Sequence, residues 1–210
     1  MINIVDNIDS TNIWLTQFNN DFFDSIISLK QSKGCGRQGR FWKSNKGGLY
    51  YSIVLPYRKI LPLIIGVSVS DILVKDIIDI QLKWPNDILV NGKKLGGILC
   101  QSQGESAIVG LGINMDNNIN LPESINLSKL GCNLDKLCFI KGLVKEMVIN
   151  MSCKDQEIIE KFLTYDCLIG KEVSWTGGKG LVERISEEGH LVVRNRENKL
   201  DFLTEEVHLE

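Results

Sequence analysis

Residues 80–98 have the sequence IQLKWPNDILVNGKKLGGI, which predicts two antiparallel strands joined by a tight turn. The dipeptide Asn91-Gly92 is the strongest short signal for a two-residue hairpin, because both residues tolerate the positive φ angles of that turn. The apolar run Ile88–Val90 leads into the turn, and the return strand is expected to begin at Lys94 and to continue to about Gln101. The sheet around this segment is therefore predicted to be antiparallel.

Strand and helix patterns alternate on both sides of this hairpin. Runs rich in β-branched and aromatic residues indicate strands, whereas apolar residues repeated every three or four positions indicate helices. The expected strands are 25–31, 48–55, 80–84 and 107–115, and the expected helices start at 10–12 and cover 63–78 and 134–163. Helices beside a mixed, largely antiparallel sheet predict an α+β fold.

The pattern changes after Gly170, where short β runs separated by turn residues predict a small all-β barrel. These runs are 172–175, 181–185, 191–196, 200–203 and 206–209. We therefore expect two domains, a larger body of residues 1–168 and a C-terminal barrel of residues 169–210.

Composition excludes several classes of protein. The chain has 210 residues and a net charge of −2, with 24 Lys and Arg against 26 Asp and Glu, so neither nucleic acid nor a membrane surface is an expected partner. No apolar stretch approaches the roughly 18 residues of a membrane helix, and the N-terminal sequence lacks the features of a secretory signal. We therefore expect a cytoplasmic protein. His190 and His208 are the two histidines, and the six cysteines have no metal-finger spacing, so no fixed metal site is predicted.

A glycine-rich segment, Gln31–Trp42, carries the densest set of candidate functional residues. Its sequence QSKGCGRQGRFW contains GxGxxG at 34–39, but no helix pattern follows, so a dinucleotide-binding turn is rejected. The glycines allow close approach of a ligand to the backbone, and Arg37 and Arg40 could bind an anion. Trp42 could stack on a flat ligand. The alternative is a solvated loop with ordinary surface charge.

Two further segments could face the same ligand. Lys94 returns beside Asp87 and precedes Gly96-Gly97, and paired glycines inside a strand often mark the close approach of a ligand. The strand ending at Asn114 has glycines at alternate positions, Gly110 and Gly112, which leaves one of its faces bare. A solvated lysine and a helix packed on the bare face are the alternative interpretations.

The order and spacing of these segments resemble biotin protein ligases, from Ser10-Thr11-Asn12 through the glycine-rich segment to KWPND, KLGGI and GINM. The resemblance implies a class II synthetase-like catalytic domain followed by an SH3-like barrel. It also implies that ATP, with Mg²⁺, activates biotin as biotinyl-5′-AMP. The activated biotin would then pass to a lysine of a biotin carboxyl carrier domain, with that of acetyl-CoA carboxylase as the expected partner.

The resemblance also assigns roles to particular residues. Lys94 and Arg37 would be catalytic, and Lys94 would contact both the biotin carboxylate and the α-phosphate. Biotin would be bound by Ser10, Thr11, Asn12, Gln31, Gly34, Gly36, Lys94, Gly97 and Gly112. The nucleotide would be bound by Arg37, Arg40, Trp42, Asn86, Asp87 and Asn114, and Asp87 could also reach the Mg²⁺.

Cys35 departs from the pattern, since the family has an arginine at this position of the loop, and one ligand contact could be lost. The ligand motifs begin near the first residue, so we expect a ligase without a DNA-binding repressor domain. A lipoate or octanoate ligase and a catalytically weakened biotin or adenylate binder are the alternatives. An exposed sheet edge could form a homodimer.

Overall fold

A computed structural model of the protein describes residues 2–18 and 20–209. Short 3₁₀ turns lie at Arg37–Gly39 and Ser128–Leu130. The helices are α1 Thr11–Thr16, α2 Leu61–Leu73, α3 Lys136–Ser152 and α4 Asp155–Tyr165. The strands are β1 Ile2–Val5, β2 Ser25–Ser28, β3 Leu49–Pro56, β4 Ile80–Lys83, β5 Asp87–Val90, β6 Lys93–Gln103, β7 Ser106–Ile113, β8 Glu172–Trp175, β9 Gly178–Ile185, β10 Leu191–Asn195, β11 Leu200–Leu203 and β12 His208–Leu209.

The hairpin predicted from residues 80–98 is confirmed. Asn91 and Gly92 have φ angles of 51° and 68°, and they connect β5 to β6 in antiparallel register. Asp87 pairs with Gly97 across the two strands. The hairpin thus brings the KWPND and KLGGI segments side by side.

Seven strands form the first sheet in the order β1-β2-β3-β7-β6-β5-β4. The pair β1–β2 is parallel and every other pair is antiparallel, which confirms a mixed, largely antiparallel sheet within an α+β fold. Strand β1 was not predicted, because four residues at the N-terminus carry too weak a pattern.

Strand β3 explains how the sheet has two different faces. Its side chains alternate between the faces, and Leu49, Tyr51 and Ile53 join the main hydrophobic core with α2 and α3. Val54 instead packs with Leu15 of α1 in a smaller apolar cluster. Helix α1 therefore covers part of the face opposite the main core, and the rest of that face is available to a ligand.

The helical boundaries differ from the predictions by two residues at several ends and by more at two places. Helix α2 ends at Leu73 rather than Ile78, because the backbone closes a turn in which the amide of Asp76 donates to Leu73 O at 3.0 Å. The segment expected as one helix over 134–163 is two helices, since Cys153 and Lys154 are extended. The apolar pattern continues across this break because α4 packs on the same core as α3.

Strands β8–β12 form a second, antiparallel sheet in the order β11-β10-β9-β8-β12. The predicted strands 172–175 and 200–203 have the observed bounds. Within the described residues no backbone pairing joins β11 to β12, so the hydrogen bonding does not close a barrel. One hydrophobic core includes side chains of both sheets. The division at residues 168 and 169 stays a prediction.

None of the helices in residues 2–18 and 20–209 is both long and apolar enough to cross a membrane.

Candidate active site

A cavity of about 610 Å³, here called the main cavity, opens on the sheet face that α1 covers in part. It brings together residues from the glycine-rich segment, the β5–β6 hairpin and β7. The predicted site residues that line it are Thr11, Asn12, Gln31, Gly36, Arg37, Arg40, Trp42, Asn86, Asp87, Lys94, Gly97, Gly112 and Asn114. Segments distant in sequence therefore converge on one cavity.

Ser10 and Gly34 are the predicted residues that do not line the main cavity. Ser10 is the buried residue that precedes α1, and its side chain makes no capping hydrogen bond. A Cβ at Gly34 would collide with Ser44 Oγ and Trp42 O, so this glycine lets the segment fold back on itself.

A buried polar cluster forms one end of the main cavity. The amide and hydroxyl of Thr11 both donate to Gln31 Oε1, at 2.7 and 3.0 Å. Gln31 Nε2 donates to Ser44 Oγ at 2.9 Å. Ser52 Oγ lies 2.7 Å from Thr11 Oγ1 and 2.6 Å from Asn12 Oδ1. Such a cluster of donors and acceptors can orient a neutral polar group of a ligand.

Ser52 and Ser44 were not singled out from the sequence. Ser52 is a small polar residue inside the apolar run of β3, and it is fully buried. A small polar residue in an otherwise apolar strand is the signal that could have identified it. Ser44 has no comparable signal, because it lies in an irregular loop.

The floor of the main cavity is formed by glycines that leave room for larger side chains. Gly97 and Gly112 are directly paired across β6 and β7. A Cβ at Gly112 would lie 2.6 Å from Trp42 Nε1, and a Cβ at Gly97 would lie 3.2 Å from Trp42 Cζ3. A Cβ at Gly110 would instead collide with Asn12 of α1. Helix packing therefore explains Gly110, whereas Gly97 and Gly112 accommodate the indole of Trp42.

Lys94 of the β5–β6 hairpin places its ammonium group in the wall of the main cavity. Its Nζ lies 2.6 Å from Asp87 Oδ1 and 5.4 Å from the centroid of the Trp42 ring. Its backbone amide donates to Glu123 O at 2.8 Å, and its carbonyl accepts from Ile125 N at 3.0 Å. The expected placement of Lys94 beside Asp87 is observed, and the lysine side chain is half-buried rather than fully solvated.

A further wall of the main cavity was not predicted. It consists of Ile119, Leu121, Pro122, Glu123 and Ser124, which follow the Asn114 motif. Lys43 Nζ donates to Ile119 O at 3.0 Å, so this wall is also attached to the residue that directly follows the glycine-rich segment. Its residues have no functional motif, which explains why the sequence did not reveal them.

Two of the three predicted asparagines, Asn86 and Asn114, brace the backbone around the main cavity. Asn86 Nδ2 donates to Ile98 O at 2.8 Å, which fixes the KWPND segment to β6. Asn114 Nδ2 donates to Lys94 O at 3.4 Å, and Asn114 Oδ1 accepts from Asn117 Nδ2 at 3.1 Å. Each amide thus has a structural role as well as a place in the cavity wall.

The arginines of the glycine-rich segment contact the C-terminal sheet region. Arg37 Nη2 donates to Thr204 O at 3.1 Å, and Arg40 forms an ion pair with Glu206. Burial alone would raise the pKa of Glu206, but the hydrogen bond and charge of Arg40, together with the charges of Lys83 and Lys94, hold this pKa below its usual value. The segment is therefore ordered by residues more than 160 positions away.

No group of three or more His, Cys, Asp or Glu side chains that could hold a metal occurs within the described part of the chain. Asp87 and Glu123 are the carboxylates in the wall of the main cavity, and Asp87 is already paired with Lys94. This donor set suits a Mg²⁺ that arrives with phosphates, because Mg²⁺ commonly binds through one or two carboxylates plus substrate oxygens.

Comparison with known proteins gives a consistent result. Residues 8–118 match the model of the biotin/lipoate A/B protein ligase family. Biotin–protein ligase 1 (chloroplastic) of Arabidopsis thaliana is 42% identical over 104 residues, which are 41% of this chain and 28% of the relative. The bifunctional ligase/repressor BirA of Escherichia coli is 32% identical over 177 residues, which are 75% of this chain and 55% of the relative.

Among solved structures, the biotin protein ligase of Aquifex aeolicus in complex with biotin and ATP superposes with a TM-score of 0.86. The sequence identity is 27%, and the match covers 100% of this chain and 99% of that one. The chain spans about half or less of the length of the two curated relatives named above.

Proposed function

Because the chain belongs to the biotin/lipoate A/B protein ligase family, we propose that it attaches biotin to a lysine of a carrier protein at the expense of ATP. One observation carries the proposal: the main cavity joins the polar cluster of Thr11 and Gln31 to the cations Lys94, Arg37 and Arg40. The polar cluster suits the ureido group of biotin, and the cations suit a carboxylate that meets a phosphate.

The first step would form biotinyl-5′-AMP. An oxygen of the biotin carboxylate attacks the α-phosphorus of ATP, an O–P bond forms, and the bond to the β-phosphate breaks to release pyrophosphate. Two anions must approach each other, so fixed positive charge lowers the barrier. Lys94 would contact both anions, and Arg37 would stabilise the developing charge on the phosphate.

The second step would transfer the biotinyl group. The neutral ε-amine of the carrier lysine attacks the acyl carbon of the mixed anhydride, an amide bond forms, and AMP leaves while the amine loses a proton. Neither step needs a protein nucleophile, so correct positioning of the reactants is the main task of the cavity.

The remaining residues are assigned either to the biotin part or to the nucleotide part of the main cavity. Trp42 would cover the nucleotide, and Gly97 and Gly112 would line the slot for biotin. The other biotin contacts would be Ser10, Thr11, Asn12, Gln31, Gly34 and Gly36, and the other nucleotide contacts would be Arg40, Asn86, Asp87 and Asn114. Mg²⁺ would accompany the ATP phosphates, within reach of Asp87.

The carrier would be the biotin domain of acetyl-CoA carboxylase, and the reaction would take place in the cytoplasm. A homodimer would form through an exposed sheet edge, for which the edge strand β1 is the candidate, because Leu82 O of the opposite edge strand β4 already accepts from Cys167 N at 3.1 Å. Size-exclusion chromatography with light scattering tests this arrangement directly.

The proposal is tested by incubating the purified protein with ATP, biotin and a biotin carboxyl carrier domain. We expect the mass of the carrier to increase by one biotinyl group, and only when ATP is present. Lipoate replaces biotin in the parallel reaction. Incorporation of lipoate alone would identify a lipoate ligase, and tight biotin binding without exchange of labelled pyrophosphate into ATP would identify a binding protein.

A further inference from the structure

A second cavity, of about 420 Å³, lies beside the main cavity. Its walls come from the start of α2, the Trp84–Asn86 segment, and the turn between β9 and β10 that contains Gly189. It shares the residues Arg37, Asn86 and Ile98 with the main cavity. The two cavities therefore adjoin at Arg37 of the glycine-rich segment.

The second cavity is rich in groups that donate hydrogen bonds to anions. Arg37, Lys59 and His190 line it, and each comes from a different part of the fold. Glu188 is the carboxylate in this wall, and its hydrogen bonds to its own backbone and to Ser186 hold its pKa below the usual value. Glu188 therefore carries one negative charge in this wall, against the positive charges of Arg37 and Lys59.

Arg37 has capacity for one more acceptor. Its Nη2 donates to Thr204 O at 3.1 Å, whereas its buried Nη1 has no hydrogen-bond partner within the described part of the protein. A buried donor without an acceptor is unfavourable, so an oxygen-rich ligand would relieve the cost. Lys59 likewise forms no ion pair or hydrogen bond with the described residues, although it attracts Glu188 at longer range.

We propose that the second cavity binds inorganic pyrophosphate, held by Arg37, Lys59 and His190. This inference rests on the proposed function, because adenylation releases pyrophosphate beside Arg37. Attack on the α-phosphorus is in line, so the leaving group departs on the side away from the attacking carboxylate. A guanidinium shared by both cavities can stay in contact with the leaving group as it moves from the main cavity to the second one.

The test uses biotin-dependent exchange of labelled pyrophosphate into ATP. Lys59→Gln removes a cation of the second cavity, and Lys145→Gln is the control, since Lys145 is an exposed residue of α3 that lines neither cavity. We expect Lys59→Gln to raise the KM for pyrophosphate about tenfold through loss of one charge-assisted contact. The KM for biotin and the behaviour of Lys145→Gln should not change. An unaltered KM for pyrophosphate in both Lys59→Gln and His190→Gln would overturn the proposal.

A direct titration with inorganic pyrophosphate separates this inference from the proposed function. If the unaltered protein shows no exchange but binds pyrophosphate, and Lys59→Gln weakens that binding, the ligase function is wrong and the anion site stands. If the unaltered protein shows neither exchange nor binding of pyrophosphate, both are wrong.

Discussion

Gly112 has no side chain, and this leaves room for the indole of Trp42 in the main cavity. A Cβ at this position would lie 2.6 Å from Nε1 and 2.7 Å from Cε2 of Trp42. Gly112→Ala must displace the indole, and overpacking of this kind costs about 1–3 kcal/mol. We expect biotin affinity to fall by about tenfold or more, measured by isothermal titration calorimetry.

Gly142→Ala is the matched control for this substitution. Gly142 lies in α3, where a Cβ would meet only Ile72 Cδ1 at an ordinary 3.7 Å. Alanine is favoured over glycine inside a helix by about 0.5–1 kcal/mol, so this variant should unfold at a higher denaturant concentration and bind biotin normally. Normal biotin affinity in Gly112→Ala would contradict the packing role of that glycine.

Lys94 gives a prediction about the chemical step. We expect Lys94→Ala to slow adenylation by a much larger factor than it weakens biotin binding, because in the proposed reaction the ammonium would act on charge that develops in the transition state. The measurements are the rate of biotinyl-5′-AMP formation and the biotin dissociation constant. Lys93→Ala is the control, since Lys93 is the exposed neighbour on the same strand and lines neither cavity. Equal losses in rate and affinity would contradict the assigned role.

The location of several candidate site residues could be predicted, and the reason is local. Lys94 and Asp87 lie on one hairpin, so the turn chemistry of Asn91-Gly92 already places them together. Thr204 and Glu206 could not be predicted, because their contacts with the glycine-rich segment depend on how the two sheets pack. A motif identifies residues that share a short segment, but not the distant residues that hold the segment in place.

At the scale of elements, the glycine-rich segment is fastened to the C-terminal region by the ion pair of Arg40 and Glu206. We expect Glu206→Gln to loosen this segment and to shorten the time for which biotinyl-5′-AMP stays bound. Glu205→Gln is the matched control, because Glu205 accepts instead from Thr176 Oγ1 at 2.8 Å. Dissociation of the intermediate is measured in a chase with unlabelled biotin and ATP. Identical dissociation rates in the two variants would show that the ion pair does not retain the intermediate.

The same ion pair has a consequence for pH. The pKa of Glu206 is lower in the folded protein than in the unfolded chain, so its stabilising contribution is present above the unfolded value. That contribution is lost as the pH falls through the folded value, because protons then bind the folded state as well. In Glu206→Gln, the free energy of unfolding should therefore fall less steeply as the pH is lowered than it does in Glu205→Gln. Denaturant unfolding at a series of acidic pH values measures this difference.

Element boundaries were harder to predict than element types. The strands 172–175 and 200–203 are flanked by turn residues, which fix their ends locally. The break at Cys153 and Lys154 has no glycine or proline, so the chain offers no local signal for it. Two hydrogen bonds accompany the break: the amide of Cys153 donates to Asn150 O at 3.2 Å at the end of α3, and the amide of Lys154 donates to Glu157 Oε2 at 3.0 Å at the start of α4.

At the scale of the whole molecule, the two sheets share a hydrophobic core and a hydrogen bond. Trp84 Nε1 donates to Gly189 O at 2.9 Å, which links the KWPND segment to the turn between β9 and β10. Trp84→Phe removes this bond, and we expect a loss of about 1–2 kcal/mol in the free energy of unfolding. Denaturant unfolding should stay a single transition, since the core is continuous. Separate transitions for the two sheets would contradict that expectation.

The overall architecture could be inferred from the sequence because hydrophobic periodicity and turn residues agree over most of the chain. The manner in which the sheets join could not, since Val173 and Leu191 of the second sheet belong to the same core as Leu63 of α2. Periodicity shows that a strand has a buried face, but not which partner buries it. The proposed boundary near residue 168 therefore divides two sheets that depend on each other.

The placement of two indoles also gives each cavity its own intrinsic fluorescent reporter. Trp42 lines the main cavity and Trp84 lines the second one. Indole fluorescence responds to nearby charge and to exclusion of water, so a ligand that enters either cavity changes the emission of its own tryptophan. In Trp84→Phe, the fluorescence change on ligand binding in these cavities comes from Trp42. In Trp42→Phe, it comes from Trp84. Stopped-flow records of the two variants would separate the arrival of a substrate from the departure of a product in time.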